Sequence, residues 1–229
     1  MELSYKKSFS IPGNGLRPEF IMQCLQKTAE QHAAQMGFSR DTLLSEGNCV
    51  WMIARSSYSF SHGLPNRGKL TVETWPSGAD AVQSYRSFYF HQDGQIIGEA
   101  FQSWLLVDIE KRRILPTKLF PQLAQMKNPD RPGVSRLRHI VLPELSPVMQ
   151  VTVCPEDIDI NGHMNNARYL SYAMLPTRLQ TASAVRIDYE RELTAADTVT
   201  LFACEQDGVW YVSGRLPDGL SAFRAEIHQ

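Results

Sequence analysis

The chain has 229 residues, 43% of them hydrophobic, long enough for one large domain or two small ones with a real core. Its 23 Lys and Arg nearly cancel its 24 Asp and Glu, which excludes a global field steering it toward nucleic acid or an anionic membrane. The opening MELSYKKSFSIPGNG has no apolar leader core, no stretch is apolar enough to span a bilayer, and Cys24, Cys49, Cys154 and Cys204 follow no zinc or disulfide spacing, so a cytoplasmic protein with reduced, buried thiols is expected.

In chain order the first clear element is a helix in GLRPEFIMQCLQKTAEQHAAQMGF. Ile21, Cys24, Leu25, Thr28, Ala29, His32, Ala33 and Met36 recur on one face at the helical period, with Pro18 opening the helix and Gly37 closing it. Ala29, Ala33 and Ala34 read as residues of close packing. His32 reads as a core histidine with one satisfied hydrogen bond. The pattern then changes to period two, predicting strands over Cys49 to Phe60, Lys69 to Pro76, Val82 to Gln92 and Gln95 to Asp108, the last two joined by an Asp93-Gly94 hairpin turn.

KNPDRPGVSRLRHIVLPELSP, rich in Pro and basic residues and without a clean period, reads as a linker. Beyond it the order of elements repeats: a strand PVMQVTVCP, an irregular stretch, a short helix from Asn166 to Leu175 stopped by Pro176, then strands over Ala184 to Glu192, Thr198 to Glu205, Val209 to Arg215 and Leu220 to His228. The expected fold is α+β: two tandem units, each an antiparallel sheet curled around a helix, with domains at 1–127 and 147–229 and the linker at 128–146.

One feature breaks the symmetry. Before the first helix the loop reads SIPGNGLRPEF, whereas before the second it reads CPEDIDINGHMNNARYL. In the latter, Asp157 and Gly162 read as turn-forming residues and Asn165 or Asn166 as a helix cap. If the segment is extended, Asp159, Asn161 and His163 point to one side, placing a carboxylate, an amide and an imidazole together. Helix N–H groups at Asn165 and Asn166 then face the same space, as an oxyanion requires. A second acid would activate water. VRIDYEREL offers Asp188, Glu190 and Glu192 on one face, and the strand pattern alone leaves all three open.

The segments DIDINGHMNNARYL, KLTVETWPSG and IDYERELTAADTV resemble the plant and bacterial acyl-acyl-carrier-protein thioesterases, and the resemblance runs through nearly the whole chain. It implies a tandem pair of hot dog domains that hydrolyses the acyl thioester on acyl carrier protein to free fatty acid, with no metal or organic cofactor. The family's D-x-N-x-H falls on Asp159, Asn161 and His163. Its E-Y-R-R-E-C is matched by DYEREL, which puts the catalytic glutamate on Glu192 and leaves Leu193 where many plant members carry Cys. The resemblance therefore favours water activated by carboxylate, with Glu192, assisted by Asp159, as base or nucleophile and Asn161 and His163 positioning thioester and water. Cys154 and Cys204 read as core. The first domain, which lacks the polar cluster, would line the acyl chain.

An acidic carrier would dock on a basic patch, with Lys111, Arg112 and Arg113 or the linker's Arg131, Arg136 and Arg138 as candidates. Exposed sheet edges leave homodimer pairing open. Rival readings are an acyl-CoA thioesterase, a hot dog enoyl-thioester hydratase, whose D-x-N-P-x-H has one more residue of spacing, and a non-catalytic acyl-thioester sensor. The last would need an output element such as a DNA-reading extension, and the chain opens almost directly on the first unit.

Overall fold

The computed structural model describes residues 3–61, 63–120, 127–131 and 137–229. The chain divides into two compact units: Met1–Ile11 with Cys24–Leu137, and Pro12–Gln23 with Arg138–Gln229.

The first unit holds β1 (Tyr5–Ser10), β2 (Cys49–Phe60), β3 (Lys69–Ala79), β4 (Gln83–Gln92), β5 (Gln95–Asp108) and the short β6 (Arg113–Leu115). The second holds β7 (Ser146–Thr152), β8 (Ala184–Tyr189), β9 (Thr198–Gln206), β10 (Val209–Arg215) and β11 (Ser221–His228). Strand order in the first is β1-β3-β4-β5-β2, with β6 added to β5. In the second it is β8-β11-β10-β9-β7. Matching β7 to β1 and β8 through β11 to β2 through β5 makes the two orders identical, so the repeat expected from the sequence is a repeat of topology as well. Two-residue turns at Asp93-Gly94 (φ 50° and 82°) and Asp207-Gly208 (φ 54° and 77°) place both residues in the left-handed region that a tight hairpin needs.

Helix α1 (Pro18–Gln35) buries Ile21, Cys24, Leu25, Thr28, Ala29 and His32 as its periodicity predicts, while Ala33 is half-buried and Ala34 exposed. Burial pushes the Cys24 thiol up to about 12. The helix ends on Gly37 (φ 83°), with Phe38 N–H donating to Ala33 O at 2.8 Å and Gly37 N–H to Ala34 O at 3.1 Å. These are the bonds of a Schellman cap. His32 is fully buried, its Nδ1 2.9 Å from Arg86 Nη1. Guanidinium only donates, so this nitrogen accepts. Burial lowers Arg86 to about 10.

Besides the three-residue β6 and the single-turn 3-10 helices, two elements escaped the sequence reading. β1 alternates half-buried and exposed residues over six positions, too short and too polar to stand out. Helix α2 (Arg40–Gly47) has two turns and one buried residue, Leu43; it is held by its ends, where Ser39 accepts from Thr42 N–H and Asn48 turns left-handed (φ 47°). The stretch read as a linker is anchored where it is described: Asn128 N–H donates to Pro76 O at 3.2 Å, and Ile140, 1% exposed, donates to Asp188 Oδ2 at 2.9 Å.

Gly98 of β5 lies between Phe60 of β2 and Phe90 of β4. A Cβ there would fall 2.4 Å from Ser59 O and 3.1 Å from Phe60 Cα, so β2 backbone would have to move. Gly98→Ala is expected to destabilise the protein by about 1–3 kcal/mol. Gly13→Ala, where nothing lies within 4 Å, is expected to stay within about 0.5 kcal/mol in the same denaturant titration.

Candidate active site

The segment between β7 and helix α3 (Asn166–Met174) is folded back on itself, not extended. Ile158 and Met164 form an antiparallel bridge. Between them Asp159 N–H donates to His163 O at 2.8 Å and Gly162 N–H to Asp159 O at 3.0 Å, with Gly162 at φ 79°. Asp159 Oδ1 accepts from Asn161 N–H at 2.7 Å, and Oδ2 lies 3.4 Å from Asn161 Nδ2. The expected one-sided row of Asp159, Asn161 and His163 is therefore replaced by a closed turn. The reason is the Asn161-Gly162 pair, which supplies the positive φ that reverses the chain. Asp159 builds this turn, the role assigned from sequence to Asp157.

Asp157 is instead a buried carboxylate, 2% exposed. It accepts from Arg168 Nε and from Tyr172 OH (2.6 Å), and its carbonyl takes the Asn165 N–H at 2.8 Å. Arg168 continues to Glu19 (2.7 Å), which also accepts from Ser171. Those two carboxylates hold the Arg168 guanidinium above its ordinary range, against the opposing effect of desolvation. Spacing gave Asp157 no special rank, but Arg168 and Tyr172, one helical turn apart, could have marked a face built to receive an acid.

A bulge sets Glu192 of VRIDYEREL apart from Asp188 and Glu190. β8 ends at Tyr189, and both Glu190 N–H (2.9 Å) and Arg191 N–H (3.1 Å) donate to Ala222 O, so one extra residue breaks the alternation. Asp188 bonds His139 Nδ1, and Glu190 meets His139 Nε2 at 3.1 Å and Arg224 at 3.0 Å. Glu192 goes elsewhere: its Oε2 lies 3.3 Å from His163 Nε2, with both side chains part-exposed. Leu193, beside it, is fully buried. Met164 N–H donates to Leu193 O at 2.7 Å, tying the two segments together.

At the helix start Asn165 is the N-cap, its Oδ1 accepting from Ala167 N–H at 3.0 Å while its carbonyl accepts from Arg168 N–H at 2.8 Å. Since its own N–H serves Asp157 O, the expected oxyanion donor at Asn165 is corrected to a structural one. Among the described residues the Asn166 N–H makes no hydrogen bond, and Asn166 O accepts from Tyr189 OH at 3.2 Å. Arrayed here are a carboxylate touching an imidazole and a helix N–H, groups able to move a proton and to hold developing negative charge.

The other expected residues scatter. Arg131 pairs with buried Glu73 and lies over Trp75 (5.3 Å) and Tyr89 (5.8 Å), so it closes a structural cluster and is withdrawn from the basic patch. Arg136 lies outside the described residues. Arg138 is exposed, its carbonyl bonded to Arg186. Lys111, Arg112 and Arg113 sit together on the exposed turn into β6, where the Lys111 N–H, its largest influence, holds the Asp108 carboxyl below the usual range. Cys154 is exposed and Cys204 half-buried, not core, because one precedes a surface 3-10 turn and the other lies near the end of β9.

Residues 13–118 match the family model for the acyl-ACP thioesterase N-terminal domain, and residues 143–212 that for its C-terminal domain. The chain is 23% identical over 228 residues to a chloroplastic palmitoyl-acyl carrier protein thioesterase of Cuphea hookeriana, covering 88% of this chain and 54% of the relative. It spans about half the length of the plant relatives it matches. Its fold is similar to an acyl-ACP thioesterase from Bacteroides thetaiotaomicron (TM-score 0.85, 22% identity, 98% of this chain and 97% of that one). It is similar also to a 12:0-ACP thioesterase from Umbellularia californica (TM-score 0.83, 18% identity, 100% and 97%). Matched by both domain models in order, and folded as a double hot dog like these structures, the chain belongs to the acyl-ACP thioesterase family.

Proposed function

We propose that this protein hydrolyses the thioester of an acyl chain carried on acyl carrier protein, releasing the fatty acid and the carrier's free thiol. The observation that carries this reading is the 3.3 Å approach of Glu192 Oε2 to His163 Nε2 beside the start of α3. Glu192 takes a proton from water as the water oxygen attacks the thioester carbonyl carbon. Charge then develops on the carbonyl oxygen, where the Asn166 N–H and the positive helix end stabilise it. The C–S bond breaks, and the departing thiolate receives a proton through His163. Asn161 orients the thioester from the turn that Asp159 shapes. Glu192 is preferred to Asp159 as base because the Asp159 carboxylate is engaged by Asn161.

Among the described residues the first unit has an acid–imidazole pair only between strands, Glu73 with His91, and none at a helix start; it serves the acyl chain without taking part in the chemistry. No helix among the described residues is long and apolar enough to cross a membrane, and a cytoplasmic place fits the unpaired thiols. The acidic carrier docks on the exposed turn of Lys111, Arg112 and Arg113. Reversing all three charges is expected to raise KM for carrier-linked substrate about tenfold at low salt and to leave short, carrier-free thioesters unaffected. The function itself is tested by free-thiol release over a panel of acyl-carrier-protein and acyl-coenzyme A substrates. Release fastest from the carrier supports it, release fastest from coenzyme A changes the carrier, and hydration of an enoyl thioester without thiol release overturns it.

A further inference from the structure

Glu192 lies beyond the end of β8, in a stretch where the sheet no longer dictates position. Beside the Met164 N–H bond to Leu193 O, what fixes it is a hydroxyl on the neighbouring helix. Tyr169 OH donates to Arg191 O at 3.0 Å and accepts from Leu193 N–H at 3.0 Å, so it bonds the peptide groups on both sides of Glu192. We propose that Tyr169 is the positioning residue of the active site, a clamp that holds Glu192 at its distance from His163. This inference rests on the reading of Glu192 as the base.

Three features support it. Tyr169 is 3% exposed, and its ring is locked edge-on against Tyr189 (5.3 Å) and Phe223 (5.8 Å), so the hydroxyl is a rigid point. Burial, together with the negative charges of Glu192, Asp197 and Asp159, pushes its phenol well above the usual range, opposed only by the bond from the Leu193 N–H; it stays protonated and able to donate while it accepts. Finally, Tyr169 stands on the same helix whose start follows His163, and Met164 N–H reaches Leu193 O. Helix, turn and Glu192 segment thus form one unit, with Tyr169 and Met164 gripping the same short stretch from two points. Tyr169 touches no reacting atom in this scheme; it acts through the placement of Glu192.

Tyr169→Phe keeps the ring contacts and removes the clamp. It is expected to lower kcat for acyl-thioester hydrolysis about 10- to 100-fold with KM changed less than about threefold, since geometry at the reacting centre is lost while acyl binding is kept. The deciding measurement is the double variant. With Glu192→Gln already present, adding Tyr169→Phe is expected to cost less than about twofold further, because the group it positions is gone. Equal losses in the two backgrounds would mean that Tyr169 serves the fold in general and would overturn the proposal. If Tyr169→Phe does not fold, 4-aminophenylalanine at position 169 supplies the control: its amine still donates to Arg191 O, but its conjugated nitrogen is too poor an acceptor to hold the Leu193 N–H, so half the clamp is lost; an intermediate kcat supports the clamp and a wild-type kcat refutes it. Wild-type activity in Glu192→Gln alone would instead reject Glu192 as base, an outcome distinct from failure of the clamp.

Discussion

Glu192→Gln is expected to reduce kcat for acyl-thioester hydrolysis about 10²- to 10⁴-fold while KM and the unfolding midpoint stay near those of the parent. The amide keeps the shape and can still reach His163, but it cannot accept a proton from water. The comparison that gives the result meaning is Glu190→Gln. Glu190 stands two positions away, and on a regular strand the two would be equivalent. The bulge at Ala222 separates them: Glu190 is spent on His139 and Arg224, Glu192 on His163. Glu190→Gln is therefore expected to change kcat less than about threefold, with whatever loss it causes appearing in stability. Steady-state kinetics on one carrier-linked substrate measures both. Equal losses from the two substitutions, or none from Glu192→Gln, would sink the assignment of the base.

That pair of glutamates shows where reading the sequence stops. Long elements with a strong period were legible: α1, the strands of both meanders and the tandem repeat follow from burial of alternate or helically spaced residues, which composition displays directly. Short elements were not. α2 is held by Ser39 and Asn48 more than by an apolar face, and β1 by pairing with β3 across some sixty residues of chain. In the site, residue types were readable and geometry was not. The cluster before α3 announced itself by its polar content, yet its assumed extended shape failed because Asn161-Gly162 closes a turn. Side-chain parity along VRIDYEREL failed for a related reason, an inserted residue that carries no signal in the sequence. Only the resemblance to a family, carried position by position, picked out Glu192. Tyr169 was passed over because it acts on backbone groups, Arg191 O and Leu193 N–H, and Asp157 reads as a turn residue because spacing does not display that Arg168 and Tyr172 receive its carboxylate.

Asp157→Ala is the substitution expected to cost the fold most. Two aspartates stand two residues apart in DID, and their surroundings set opposite consequences. Asp159 lies on the turn and its carboxylate bonds Asn161, backbone and side chain, so its truncation is expected to cost about 1 kcal/mol, the usual worth of a local side-chain to backbone bond. Asp157 is buried, and its loss takes from Tyr172 OH its 2.6 Å acceptor, leaving backbone partners at Thr152 (3.2 Å) and Cys154, removes one of the two carboxylates on Arg168, and opens space under the turn. Removing one partner of a buried ion pair costs about 3–5 kcal/mol. Arg168 is about a third exposed and keeps Glu19, which places the expected value near the lower end, about 3 kcal/mol. Urea unfolding of the two variants in parallel measures the difference. Because Asp157 O also holds the Asn165 N–H at the start of α3, an Asp157→Asn variant, isosteric but uncharged, divides the effect. If shape and hydrogen bonding dominate, most of the stability returns with Asn. If the charge on Arg168 dominates, it does not, and the pair rather than the packing is what anchors the turn to its helix.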